Sequence, residues 1–306
     1  MAGDQGLAVL AGRPPGAARR FSAWLFRRPW LRAGLTLSPP LGWFVLIYLA
    51  ALAALLVSAF WSVDPFTSEI THSWTTENFK SLIDEPTYRE IALRTIGIAA
   101  AVTVTDAILA FPFAYFAVRV APGRIQTALF VLVLLPLWSS YLVRVYAWRL
   151  ILAHDGALNW SLDKLHLGSV NVGYSNWAMW IVFSYIWLPF MIVPVWTAIE
   201  RVPESLLEAS MDLGGSAWRT FREVLLPLAL PGLVAGSIFT FSLTLGDYIT
   251  PTLVGGASSD FIGNVVYRNV GVANNVPFAA AFATVPMVVM GVYLLVARRL
   301  GAFEAL

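Results

Sequence analysis

The sequence contains no cysteine, only two lysines and only three histidines among 306 residues. Without cysteine there can be no disulfide, no thiolate metal site and no cysteine nucleophile. Neither lysine, Lys80 or Lys164, stands in a Gly-Lys-Ser/Thr context, so the chain has no P-loop with which to cradle ATP phosphates. His72, His154 and His166 follow no metal-ligand spacing, and no Gly-x-Ser-x-Gly elbow is present. No metal site and no catalytic residue are expected. Charge is scarce as well: 12% of residues are charged, against about 25% in a soluble domain. A formal net charge of +2 leaves no footprint for nucleic acid.

What the sequence has instead is apolar length. Hydrophobic residues make up 58% of it, more than a water-soluble fold of this size can hide. Long unbroken runs exclude an alternating outer-membrane barrel and predict an all-α protein with six membrane spans. A span needs roughly 20 apolar residues. The runs lie at about 41–61, 91–118, 126–148, 177–199, 225–248 and 277–297. Residues 1–32 are rich in Arg, Pro, Gly and Ala and read as a disordered basic leader. Residues 33–299 form the transmembrane domain, and 300–306 a short tail. The first run exceeds a signal-peptide core, so an uncleaved first span is expected.

Arginine sets the orientation. The leader, the segment after span two (Arg119, Arg124), the segment after span four (Arg201, Arg219, Arg222) and the end of span six (Arg298, Arg299) are basic. The opposite side holds only Lys80, Arg89, Arg149, Lys164 and Arg268. Both termini are therefore expected in the cytoplasm. Of the outer loops, Ser62 to Glu90 is acidic and reads as a solvated loop. Asn159, Leu162, Leu165 and Leu167 suggest a short surface helix in the next one.

The segment 200–227, between spans four and five, is the most informative. Pro203 suits a first helical turn. Glu204, Glu208 and Asp212 recur every four residues as an acidic stripe, opposite Leu206, Leu207, Ser210, Met211 and Leu213. Gly214 and Gly215 stop this helix, and Ser216 can cap a second. Trp218, Phe221 and Leu225 then share a face. Helix, glycine elbow and helix together suit a groove on another protein. An interfacial loop resting on headgroups explains the same pattern equally well.

Glu208-Ala209-Ser210, then Gly214, then Val224-x-Leu226-Pro227 resembles the EAA loop of ABC-importer permeases, with Ser for Ala and Val for Ile. Segments 244–256, 263–270, 135–148, 111–120 and 276–281 are similar to the spermidine/putrescine-type members, and the likeness covers roughly residues 35–300. The resemblance implies a MetI-like permease fold, in a bacterial inner membrane, in which Glu204, Leu207, Glu208, Ala209, Met211, Asp212 and Gly214 couple to an ATPase. It implies as partners a cytoplasmic ABC ATPase dimer that binds ATP and Mg, a second related permease subunit and an extracytoplasmic substrate-binding protein. By the same resemblance the permease itself would be no enzyme, and would move polyamines or a related small solute by alternating access.

Ionisable residues inside spans are costly and mark pathways. Asp106 falls near the middle of span two. Arg144 and Asp247 lie toward the outer ends of spans three and five, where they either pair with each other or face a path. An acid beside aromatic rings suits an ammonium group, and Trp138, Tyr141 and Tyr248 are near in sequence. Asp247, Tyr248, Asp106, Trp138, Tyr141 and Arg144 are the expected solute path. The alternative is a self-sufficient secondary transporter or channel with Asp106 as its ion-coupling residue.

Overall fold

A computed structural model describes Trp24, Phe26 and residues 28–64 and 66–299. Residues 1–23, 25 and 27 of the expected leader, and the tail 300–306, lie outside these residues. Two compact units divide at Val57.

The first unit is built on helix α1 (Pro29–Ser58). It begins well before the expected start of span one and takes in Arg32, which was counted with the leader. The Pro39-Pro40 pair sits inside it. Proline frees the carbonyl four residues back, and for Pro39 that carbonyl is Leu35's. The Ser38 hydroxyl donates to it at 3.1 Å, and the helix continues. Tolerance of proline by such local hydroxyl bonds is a property of apolar surroundings.

The second unit opens with a hairpin, β1 (Ser62–Val63) and β2 (Ile70–Thr71), in antiparallel register Ser62↔Thr71. Asp64 closes its turn by accepting from the backbone N–H groups of Phe66 (2.8 Å) and Thr67 (3.0 Å). These donors hold the exposed Asp64 carboxyl below the usual carboxylate range. The turn is thus favoured above the ordinary aspartate pKa and loosens as pH falls through the lowered value. Helix α2 (Glu77–Asp84) follows, tied back by Asn78 Nδ2, which donates to the Ala59 and Trp61 carbonyls. The segment expected as a solvated loop is therefore a built element.

Helix α3 (Pro86–Val120) begins on proline and ends in a widened turn after the internal Pro112. The third expected span is broken. Helix α4 (Gly123–Trp138) tightens to 3₁₀ geometry at Pro136, and Ser139 and Ser140 are extended. Helix α5 (Tyr141–Leu152) leaves at a steep angle: residues 123–138 and 141–164 are bent by 94° to one another. Pro136 marks a kink in the sequence; a right-angled turn through two serines was not legible there. Helix α6 (Ala157–Lys164) is the short helix expected after it. Its Asn159 is buried, bonded to the His154 carbonyl and the Val170 N–H.

Helix α7 (Asn176–Glu200) is the most enclosed span and packs against α3 and against α9 (Ala217–Leu245). Between α7 and α9 lie helix α8 (Glu204–Asp212) and the glycine elbow. Two short helices, α10 (Ile249–Val254) and α11 (Ile262–Gly271), and the last span α12 (Val276–Arg299) complete the unit. The described residues thus contain five single helices able to span a bilayer, and six spans if the bent pair counts as one.

The α7–α9 contact depends on two glycines one turn apart. A side chain at Gly232 would meet the Pro194 carbonyl oxygen at 2.6 Å, and one at Gly236 would meet Met191 Sδ at 2.7 Å. Such small-residue spacing lets two membrane helices approach closely. Gly232→Leu is expected to destabilise the permease by about 1–3 kcal/mol through overpacking. Thermal unfolding of the detergent-solubilised chain checks this; an unchanged Tm would refute it.

Candidate functional site

The candidate functional residues fall in two regions, one at each end of α9. The first is the elbow. Helix α8 ends in a Schellman arrangement: Gly214 N–H donates to the Met211 carbonyl and Gly215 N–H to that of Ser210, both at 2.9 Å. Gly214 has φ +83°, a left-handed conformation that suits glycine. Ser216 then caps the start of α9 through its hydroxyl, which accepts from Arg219 N–H at 3.3 Å. Ser210 and Thr220 are joined by a 2.9 Å hydroxyl bond across the bend.

The faces of α8 follow from this geometry. Glu204, Glu208, Ala209, Met211, Asp212 and Gly214 are exposed, and Leu207 is half-buried against the core cluster that includes Val202 and Leu225. Leu206 and Leu213 are exposed as well. A shallow pocket beside the elbow is lined by Leu206, Ala209, Ser210, Leu213, Gly215, Arg219, Glu223 and Val224. Trp218 stacks on Phe221 at 5.3 Å while Leu225 is buried below them, on the face they were expected to share.

The second region lies beyond the far end of α9. Asp247 falls just past the helix, in the turn before α10. One carboxylate oxygen accepts from the N–H groups of Ile249 (2.7 Å) and Thr250 (3.4 Å). The other accepts from the Thr250 hydroxyl (3.0 Å) and from the Tyr141 hydroxyl at the start of α5. Asp247 is thereby an Asx cap for α10 and a tie to the outer half of the broken span. It also lines a pocket of about 280 Å³ with Tyr141, Trp187, Ser242, Leu243, Gly246 and Tyr248. Tyr141 stacks on Trp187 at 5.7 Å, and Tyr248 on Tyr267 at 4.9 Å.

Two segments singled out in the sequence meet here. Asn264 Nδ2 donates to the Tyr248 carbonyl (2.9 Å) and to the Thr252 hydroxyl (2.7 Å). At Gly263 an added Cβ would lie 2.9 Å from the Asp247 carbonyl oxygen, so the backbones touch only because that residue is glycine.

Three expected path residues stand apart. Trp138 is 89% exposed in the 3₁₀ turn and does not line this pocket. Arg144 forms no ion pair with Asp247 among the described residues; its guanidinium lies 6.0 Å from the Tyr141 ring, with Nε and Nη1 buried and unbonded. Asp106 is wholly buried between α3 and α7, its carboxylate facing Ser184, and neither group completes a hydrogen bond. Trp187 and Thr250 were not anticipated. The Asp-x-x-Thr pattern ahead of Pro251 was a legible capping signal for Thr250. Nothing local marks Trp187 among the aromatics of α7.

The family described as "Binding-protein-dependent transport system inner membrane component" matches residues 91–301. The chain is 45% identical to the inner membrane ABC transporter permease protein YdcU of Escherichia coli K12, over 94% of this chain and 95% of that one. It is 32% identical to the spermidine/putrescine transport system permease protein PotB of the same organism, over 83% and 92% of the two. Among solved structures, a bacterial ABC transporter involved in the import of the acidic polysaccharide alginate aligns with TM-score 0.64 at 19% identity, covering 92% of this chain and 99% of that one. The inward-facing MetNI methionine ABC transporter aligns with TM-score 0.54 at 17% identity over 69% and 92%. The chain belongs to the binding-protein-dependent transport system inner membrane components: it is the non-catalytic permease subunit of an ABC importer, and ATP is hydrolysed by a separate subunit.

Proposed function

We propose that the permease imports polyamines such as spermidine and putrescine, or a closely related small amine, by alternating access. It acts beside a second related permease subunit, with two copies of a cytoplasmic ATPase that bind ATP and Mg and with an extracytoplasmic binding protein. Both termini and the elbow face the cytoplasm, and the exposed face of α8 docks on the ATPase. Closure of the ATPase pair drives the elbow, and the spans rock between inward-open and outward-open states. The binding protein delivers the amine at the opposite end.

The observation that supports an amine is the pocket lined by Asp247, Tyr141, Trp187 and Tyr248. A carboxylate flanked by aromatic rings favours an ammonium group through charge and ring-face attraction. The similarity to PotB supports the same solute class. A self-sufficient secondary transporter is set aside by the family itself. Asp106, its proposed ion-coupling residue, is also enclosed rather than facing the pocket.

Reconstitution tests the proposal. The four-component importer in liposomes is expected to accumulate labelled putrescine or spermidine only when ATP is supplied. Absence of ATP-dependent amine uptake, with ATPase activity intact, would overturn the solute class. Uptake by this chain alone on a proton gradient would overturn the mechanism.

A further inference from the structure

Arg119 belongs to neither region. It stands in the widened last turn of α3, half-buried at the elbow end. Its Nη2 donates to the carbonyl of Ile199, in the last turn of α7, at 2.7 Å, and to that of Val202 at 2.5 Å. Val202 immediately precedes Pro203, the residue that leads into α8. Among the described residues Arg119 makes no ion pair, and its Nε is buried without a hydrogen bond.

The last carbonyls of a helix have no partner within it and carry the negative end of its dipole. A guanidinium is suited to hold one of them together with a carbonyl just past the helix end, because it presents several donors and stays charged; Ile199 lies in the last turn of α7, and Val202 two residues beyond its last residue, Glu200. Here both bonds come from one nitrogen, Nη2, of a residue some eighty positions away in sequence. The bond therefore joins span two to the point where span four becomes the elbow. Neighbouring contacts reinforce it. Phe111 of α3 meets Phe221 of α9 edge-on at 5.4 Å, and Ala114, Ala117, Ile199, Val202 and Leu225 share one buried cluster.

We infer that Arg119 is a positioning residue that makes the end of α3 and the entry to the elbow one mechanical body. Displacement of α8 then enters span two directly, besides reaching spans four and five through the chain. This rests on the reading of α8 as the ATPase-docking element.

The test uses the assembled importer; because this chain has no cysteine of its own, it is labelled at the introduced cysteines before assembly. Spin labels go on cysteines introduced at Ala121 and Ser205, and their separation is measured without nucleotide and after trapping with ATP and vanadate. With Arg119 present the separation is expected to hold within the about 1–2 Å of a packed helix shift. In Arg119→Gln the two states are expected to differ by about 5 Å, the scale of a one-turn slip. Arg119→Lys, which keeps a cationic donor, is expected to restore the fixed separation in part. A residue that merely stabilises the fold would alter both states alike. An Arg119→Gln separation as constant as the wild type's overturns the inference; if that variant does not assemble, a wild-type separation that itself changes on trapping overturns it. Glu208→Lys is the separate control: if the ATPase stays bound to that variant, the docking role of α8 fails, whatever the labels report.

Discussion

Gly215→Val is expected to lower co-purification of the ATPase with the permease, and ATP-driven uptake, by tenfold or more. A Cβ at Gly215 would lie 2.6 Å from the Ser210 carbonyl oxygen and 3.0 Å from its hydroxyl. That carbonyl accepts the Gly215 N–H, and the hydroxyl bonds Thr220. The substitution therefore strikes both bonds that set the angle between α8 and α9. Losing two partly buried hydrogen bonds and adding strain costs about 2–4 kcal/mol. Such a sum is felt as a change of angle, because α8 is short and its outer face is exposed. Docking falls even though no docking side chain is altered. Gly214→Asn is the informative companion. Its φ of +83° is tolerated by asparagine better than by other side chains, and open space surrounds the position. It should retain most of the association. Equal loss in both variants would mean that glycine is needed for contact with the ATPase rather than for the bend.

The elbow could be read before any coordinates because its chemistry is local. Pro203, Gly214 and Ser216 act on the backbone within a turn of themselves, so order along the chain is nearly sufficient. The break in span three was half legible. Pro136 announces irregular geometry, but the course of α5 depends on where the Tyr141 hydroxyl finds Asp247, 106 residues later. Asp247 shows the same limit from the other side. Its charge singled it out, whereas its capping bonds to Ile249 and Thr250 place it in a turn beyond the helix rather than inside a span. Pro39 and Pro40 obscured the start of α1, because proline reads as a stop unless a hydroxyl such as that of Ser38 takes up the freed carbonyl. Asp106 was read near the middle of span two as part of the solute path, whereas it is enclosed against another helix and does not line the pocket. Which helix, and that Ser184 would face it, depended on the packing of α3 on α7. Arg119 was counted only as a topological charge, since nothing near it in sequence names the Ile199 and Val202 carbonyls.

Asp247 is predicted to hold two roles that substitution can separate. Asparagine has nearly the same shape and can still accept the Ile249 and Thr250 N–H groups at Oδ1, so Asp247→Asn should keep α10 capped while removing the charge from the pocket. A charge-assisted bond is worth about 1.5–3 kcal/mol, which corresponds to roughly tenfold to hundredfold in affinity. ATP-dependent putrescine uptake is accordingly expected to show a KM raised by that factor, with discrimination against uncharged analogues reduced and ATPase assembly intact. Asp247→Ala removes the cap as well, and should add a stability loss of about 1 kcal/mol, visible as a lower Tm of the solubilised permease. Tyr141→Phe is the third arm. It deletes one donor to the carboxylate but leaves the ring stacked on Trp187 and the charge in place. Amine uptake should then survive, since the carboxylate keeps Thr250 and two backbone donors and has one lone pair more to offer an ammonium. If Asp247→Asn leaves both KM and cation preference unchanged while Asp247→Ala lowers Tm, the carboxylate is a structural cap alone, and the amine must be recognised elsewhere along the path.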